Sequence, residues 1–119
     1  MRQILETAFK GEGRVLLVAR EHGIPVAGVC IIHGHETAYY VLGGYREGAH
    51  HGAGALAVHC AIVEAHALGL EIFDFEGSSV PSVEKFFRGF GGVLSPSFSV
   101  HRAALPIEIA LKARFRNRF

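Results

Sequence analysis

Charge is not what organises this chain: 12 Lys and Arg stand against 11 Asp and Glu, leaving a formal net charge of +1. No long-range field therefore favours a polyanion or an acidic substrate. Cysteine is almost absent. Cys30 falls in an expected strand and Cys60 in mid-helix, where both read as reduced, buried small hydrophobes, and nothing in their placement supports a disulfide. No apolar run is long enough to span a bilayer, and the opening Met1-Arg2-Gln3-Ile4-Leu5-Glu6 lacks the apolar segment of a secretory signal. A cytoplasmic chain is expected. Eight histidines are present, but no H-E-x-x-H or Cys-x-x-Cys spacing goes with them. His33 and His35 share a strand face, His50 and His51 are neighbours in a loop, and His59 and His66 lie far apart on one helix. No native metal site is expected. Internal repeats and low-complexity segments are also missing.

What is present is apolar residue in quantity. Half of the 119 residues are hydrophobic, enough for one core near the lower end of comfortable domain sizes, so one domain over residues 1–119 is expected. Periodicity predicts a short amphipathic helix over 2–9, ended at Gly11 and Gly13. Strands are expected over 14–20, 26–34 and 36–42. The links between them, His22-Gly23-Ile24-Pro25 and Gly34-His35, are too short for crossover helices, so the three strands form an antiparallel meander. A loop over 43–48 leads to a helix over 54–68, capped by Gly69. Leu56, Val58, Ile62, Val63 and Leu68 make it apolar almost all round, which predicts a buried helix. A strand over 71–76 then returns parallel to the strand before the helix, followed by a helix over 83–89 and a strand over 93–101. Pro106 opens a final amphipathic helix ending in Lys112, Arg114, Arg116 and Arg118.

The most specific stretch is 71–92, E-I-F-D-F-E-G-S-S-V-P-S-V-E-K-F-F-R-G-F-G-G. Alternation puts Ile72, Asp74 and Glu76 on one strand face and Phe73 and Phe75 on the other. The strand breaks at Gly77-Ser78-Ser79, and Pro81 with Ser82 opens the next helix. Oriented N–H groups and a helix start meet a polar strand end there, the place where α/β proteins usually bind ligands. Within it, the run D-F-x-G-S-x-x-P-x-x-E-K-F-x-R-x-F-G-G resembles the strand, loop and helix near the C-terminal end of Fem-type aminoacyl transferases and related acyltransferase-like domains of the GNAT superfamily. The similarity extends upstream through Gly52-Ala53-Gly54-Ala55 and, more weakly, to about Arg14.

This resemblance implies an α+β fold, a GNAT-like mixed sheet with an antiparallel meander and flanking helices, here N-terminally incomplete. It implies transfer of an acyl or aminoacyl group to an amine acceptor, with acyl-CoA or aminoacyl-tRNA as donor and no tightly bound cofactor. The competing reading is a non-catalytic domain that keeps the fold for dimerisation or ligand binding. An incomplete sheet exposes an edge, so a homodimer or docking to a missing N-terminal half is expected. The basic tail offers contacts to tRNA phosphates or an anionic membrane, although a solvated C-terminus is the plainer reading.

Four sets of residues carry the candidate chemistry. Gly52, Ala53, Gly54 and Ala55 are small enough for backbone N–H groups to close on a phosphate at a helix start. Acetyl-CoA-dependent relatives place Arg or Gln three residues before the first of these glycines, where this chain has Ala49; a flexible loop is the alternative. Acyl transfer to an amine needs a polarised carbonyl, a positioned amine and a base. The backbone at Leu42, Gly43 and Gly44 offers the polarising N–H. Glu76 is the candidate base, because repulsion from Asp74 on the same face favours proton uptake by one of the pair; a loop-tying carboxylate is the alternative. Tyr45, Ser78, Ser79 and Arg88 are the expected substrate contacts, with helix capping as the other role for the two serines. The relatives' helix carries a tyrosine acid or a lysine where this one has Phe86 and Phe87, leaving Lys85 and Arg88 to stabilise negative charge.

Overall fold

The structure, a computed structural model, describes residues 3–98 and 100. Two tight reversals set its sheet. Strand β1 (Gln3–Gly11) pairs with β2 (Arg14–Glu21) so that Gly11 faces Arg14 and only Glu12 and Gly13 form the loop. β2 then pairs with β3 (Ile24–His33), with Glu21 facing Ile24. Their two-residue loop needs positive φ at both positions, and His22 and Gly23 adopt 50° and 80°. β3 pairs with β4 (Thr37–Tyr45), completing an antiparallel meander close to the expected one. Helix α1 (Ala53–Ala67) crosses back, and β5 (Ile72–Asp74) joins parallel to β4. The sheet order is β1-β2-β3-β4-β5, followed by helix α2 (Pro81–Arg88).

The expected helix over 2–9 is a strand instead. A segment that short cannot hold a helix on its own, whereas the ladder to β2 satisfies its backbone along most of its length. The expected strand over 93–101 is also not formed in its described part: residues 93–98 and 100 lie outside any strand, and Val93 is 95% exposed. β5 spans three residues and offers little edge to pair with. His101 and the helix expected from Pro106 lie outside the described residues.

One face of the sheet makes the core. Val15, Leu17 and Ala19 of β2, Val29 and Ile31 of β3 and Ala38 of β4 are buried against the Ala53, Ala57, Val58, Ala61 and Ala65 stripe of α1. Small side chains on that stripe let the helix lie close to the strands. Contrary to the all-round burial expected of α1, Leu56 and Ile62 are half-buried and Val63 is 53% exposed. A single sheet face covers a single helix stripe, whatever the hydropathy of the rest.

Candidate functional site

β4 and β5 stay together for only three pairs: Thr37 with Ile72, Ala38 with Phe73 and Tyr39 with Asp74. β4 then runs on to Tyr45 against β3 alone, so its other edge has backbone groups unpaired among the described residues. β5 stops where Glu76 and Gly77 turn left-handed, with φ of 61° and 69°. The Asp74 carboxylate holds that turn by accepting a hydrogen bond from the Glu76 N–H at 2.7 Å. A wedge therefore opens between the two strands. Phe73 and Phe75 face the core, as alternation requires, and Ile72 and Asp74 are exposed.

Aromatic rings occupy the wedge. Phe87, the buried residue of α2, stacks on Phe75 at 4.9 Å and meets Tyr40 edge-on at 5.1 Å. A bulge in β4 places Tyr40 here: Ile31 faces Tyr40 and Cys30 faces Leu42, which leaves Val41 unopposed. The Tyr40 hydroxyl consequently lies over Gly43, where a Cβ would come within 1.7 Å of it. Burial pushes the Tyr40 phenol above its ordinary 10.0. The Cys60 thiol on α1 is also raised, again by burial.

Phe87 borders two cavities. The first, about 470 Å³, lies between the unpaired edge of β4, the start of α1 and one side of α2; Tyr40, Gly43, Gly44, Tyr45, His50, Gly54 and Phe86 line it. Its size and largely aromatic and glycine lining suit a small-molecule site. At the start of α1, the Gly52 N–H donates to His50 Nδ1 at 3.1 Å and the Ala53 N–H to the His50 carbonyl at 2.9 Å. The N–H groups of Gly54 and Ala55 have no acceptor among the described residues, and no side chain caps the helix. Of the four residues expected to cradle a phosphate, two thus keep free donors at the positive end of a helix.

The second cavity, about 590 Å³, holds Asp74, Glu76, Ser78 and Arg88 together with the segment 92–97. Arg88 Nε donates to Glu84 at 2.9 Å, so its charge is partly engaged. Ser78 Oγ accepts from the Val80 N–H at 3.1 Å, which ties the loop; α2 begins at the N-cap Val80 without a side-chain cap. The two serines therefore do not cap α2 as expected. Ser79 and Lys85 are exposed and line neither cavity. Sequence reasoning also missed Tyr40 and His50, since the bulge and the wedge that give them a role have no local signature.

Among the described residues, no helix is long and apolar enough to cross a membrane.

Residues 1–88 match the family described as acetyltransferase (GNAT) domain. The chain belongs to this family. The matched span runs from β1 to the end of α2 and so contains the wedge and the start of α1. Solved GNAT-type structures share the fold at low identity. A ribosomal-protein-alanine N-acetyltransferase from Brucella melitensis biovar Abortus 2308 is 15% identical, with a TM-score of 0.63 over 78% of this chain and 72% of that one. The aminoglycoside acetyltransferase AAC(6')-Iy, in complex with a CoA-containing bisubstrate analogue, is 8% identical, with a TM-score of 0.67 over 79% and 71%. An aminoglycoside acetyltransferase from an uncultured soil metagenomic sample, in complex with sisomicin, is 14% identical, with a TM-score of 0.65 over 80% and 68%. No curated protein matches the sequence.

Proposed function

We propose that this GNAT domain transfers an acyl group from acyl-coenzyme A to an amine. The observation that carries the reading is the wedge between β4 and β5, with an unpaired strand edge on one side and the free Gly54 and Ala55 N–H groups at the start of α1. A thioester arm lies along the β4 edge, its carbonyl polarised by backbone N–H at residues 42–44. The pyrophosphate meets the Gly54 and Ala55 N–H groups, with Gly52 and Ala53 shaping the turn. The acceptor amine enters from the second cavity, where Asp74 attracts its cationic form, Glu76 takes the proton and Ser78 and Arg88 line the way. Tyr45, 76% exposed at the mouth of the first cavity, contacts the bound donor. Lys85 has no part in this reading, because its side chain reaches neither cavity.

The D-F-x-G-S-x-x-P run supports a second donor, aminoacyl-tRNA, as in the Fem-type proteins it resembles. One experiment separates the two. Purified protein is incubated with acetyl-CoA and candidate amines, including a peptide with N-terminal alanine and an aminoglycoside, and free thiol is measured. Amine-dependent thiol release is expected. No release, together with thermal stabilisation by a charged minihelix but not by coenzyme A, would reject the acyl-CoA donor in favour of aminoacyl transfer.

A further inference from the structure

The two cavities meet at a single side chain. Among the described residues, Phe87 alone lines both. Its ring is 9% exposed, stacks on Phe75 at 4.9 Å and meets Tyr40 edge-on at 5.1 Å, while the Tyr40 and Phe75 rings lie 6.5 Å apart. Three mutually adjacent rings thus plug the throat of the wedge. The one polar atom among these side chains is the Tyr40 hydroxyl, which lies over Gly43 and so on the first-cavity side. A water needs about two to four polar partners to rest in an interior, so the plug offers it no path.

Acyl transfer needs the contents of both spaces to touch: a thioester carbonyl beside Gly43 and Gly44 in the first cavity, and an amine beside Asp74 and Glu76 in the second. With the Phe87 ring in place they stay apart. The spaces on either side, about 470 and 590 Å³, have room for a turned ring, so rotation of this one side chain joins them. Rotation gives up the two close ring contacts, which favours the closed arrangement on the order of tenfold to a hundredfold. The nucleophiles differ in how they offset that loss. An amine borne on an apolar carbon skeleton replaces the ring contacts with its own, whereas water has no apolar surface to offer.

We propose that Phe87 is the specificity-determining residue that reserves the thioester for an amine and denies it to water; the assignment rests on the acyl-CoA reading above. The acceptor is accordingly an amine whose nitrogen is carried on an alkyl or aryl carbon, which displaces the ring as it enters. Tyr40 and Phe75 hold the ring closed until then. The two competing reactions share their steps. The nucleophile's nitrogen or oxygen bonds to the acyl carbon, the C–S bond breaks with its electron pair going to sulfur, and the proton that the nucleophile loses reaches sulfur through solvent. The amine yields an amide and a free thiol; water yields a carboxylic acid and the same thiol. Keeping water from the acyl group prevents the second outcome.

The test measures thiol release from acetyl-CoA with no amine, with ammonia and with benzylamine, on the wild type and on Phe87→Leu. Phe87→Met, which fills more of the space without a ring, serves where the leucine variant does not fold, and a melting curve is read on each. Amine-free release should rise about tenfold in the folded variant, and the advantage of benzylamine over water should shrink by the same factor. In the wild type, benzylamine should outrun ammonia, an amine of similar basicity, by at least about tenfold at equal concentrations of neutral base. Amine-free release that stays unchanged in a folded variant, or falls together with the amine-dependent rate, overturns the role of Phe87 while leaving the donor reading intact; so does equal use of ammonia and benzylamine by the wild type. A wild type that releases no thiol with any amine overturns the donor reading and Phe87 with it.

Discussion

Gly43→Ala is the most exacting test of how the wedge is packed. The Gly43 backbone is not left-handed, so alanine is conformationally allowed and any penalty is steric. A Cβ there would lie 1.7 Å from the Tyr40 hydroxyl oxygen and 2.6 Å from Cζ, so the ring has to leave its place. Displacement forfeits the contacts of Tyr40 with Phe87 and Phe75, about 0.5–1.5 kcal/mol each for an aromatic pair. Stiffening of the unfolded chain by alanine returns about 0.4–1 kcal/mol. The net loss is about 1–2 kcal/mol, or roughly 4–8 °C in melting temperature for a domain of this size. Scanning calorimetry measures it, with Gly44→Ala as the control: no atom lies within 4 Å of a Cβ at Gly44, so that variant should melt at or slightly above the wild-type temperature. In a Tyr40→Ala background, Gly43→Ala should cost nothing further. A Gly43→Ala protein as stable as Gly44→Ala would show that Tyr40 does not sit over Gly43.

Three further outcomes follow from the same geometry. Phe87→Ala removes the buried ring that joins α2 to Phe75, just past the end of β5, and should cost about 3–5 kcal/mol in denaturant unfolding. Gly54→Asp meets Tyr45 Cδ1 only at ordinary contact distance, 3.6 Å, and puts a carboxylate at a helix start; stability should hold while coenzyme A binding, read by titration, disappears. Because burial raises the Tyr40 phenol, the unfolded chain gives up this proton first as pH climbs, so stability is full below about pH 10 and falls above it. Melting curves at pH 9 and pH 11 should show a smaller drop for Tyr40→Phe than for the wild type.

Much of the fold was legible because its signals are local. The short link at His22-Gly23 and the alternating apolar residues in β2 and β3 specify their hairpin without outside help. The crossover from β4 through α1 to a parallel β5 follows from the length of the connection. β1 was read as a helix because its identity depends on pairing with β2, a tertiary effect that a nine-residue window does not display. The site was legible in halves. The small residues before α1 and the carboxylates after β5 mark real concavities, yet only the early parting of β4 and β5 shows that Phe87 stands between them. Capture of the Gly52 N–H by His50 and the re-aiming of Tyr40 by the bulge at Val41 depend on backbone geometry that residue types do not encode.

The central claim, that the wedge receives the thioester arm of coenzyme A, is tested most directly by an amide NMR titration of the labelled protein with coenzyme A. Saturable shifts should concentrate at Gly43, Gly44, Tyr45, Gly54 and Ala55, the residues along the free edge of β4 and the start of α1. Shifts confined to the segment 92–97 or to exposed positions such as Lys85, or no shifts at millimolar ligand, would contradict it.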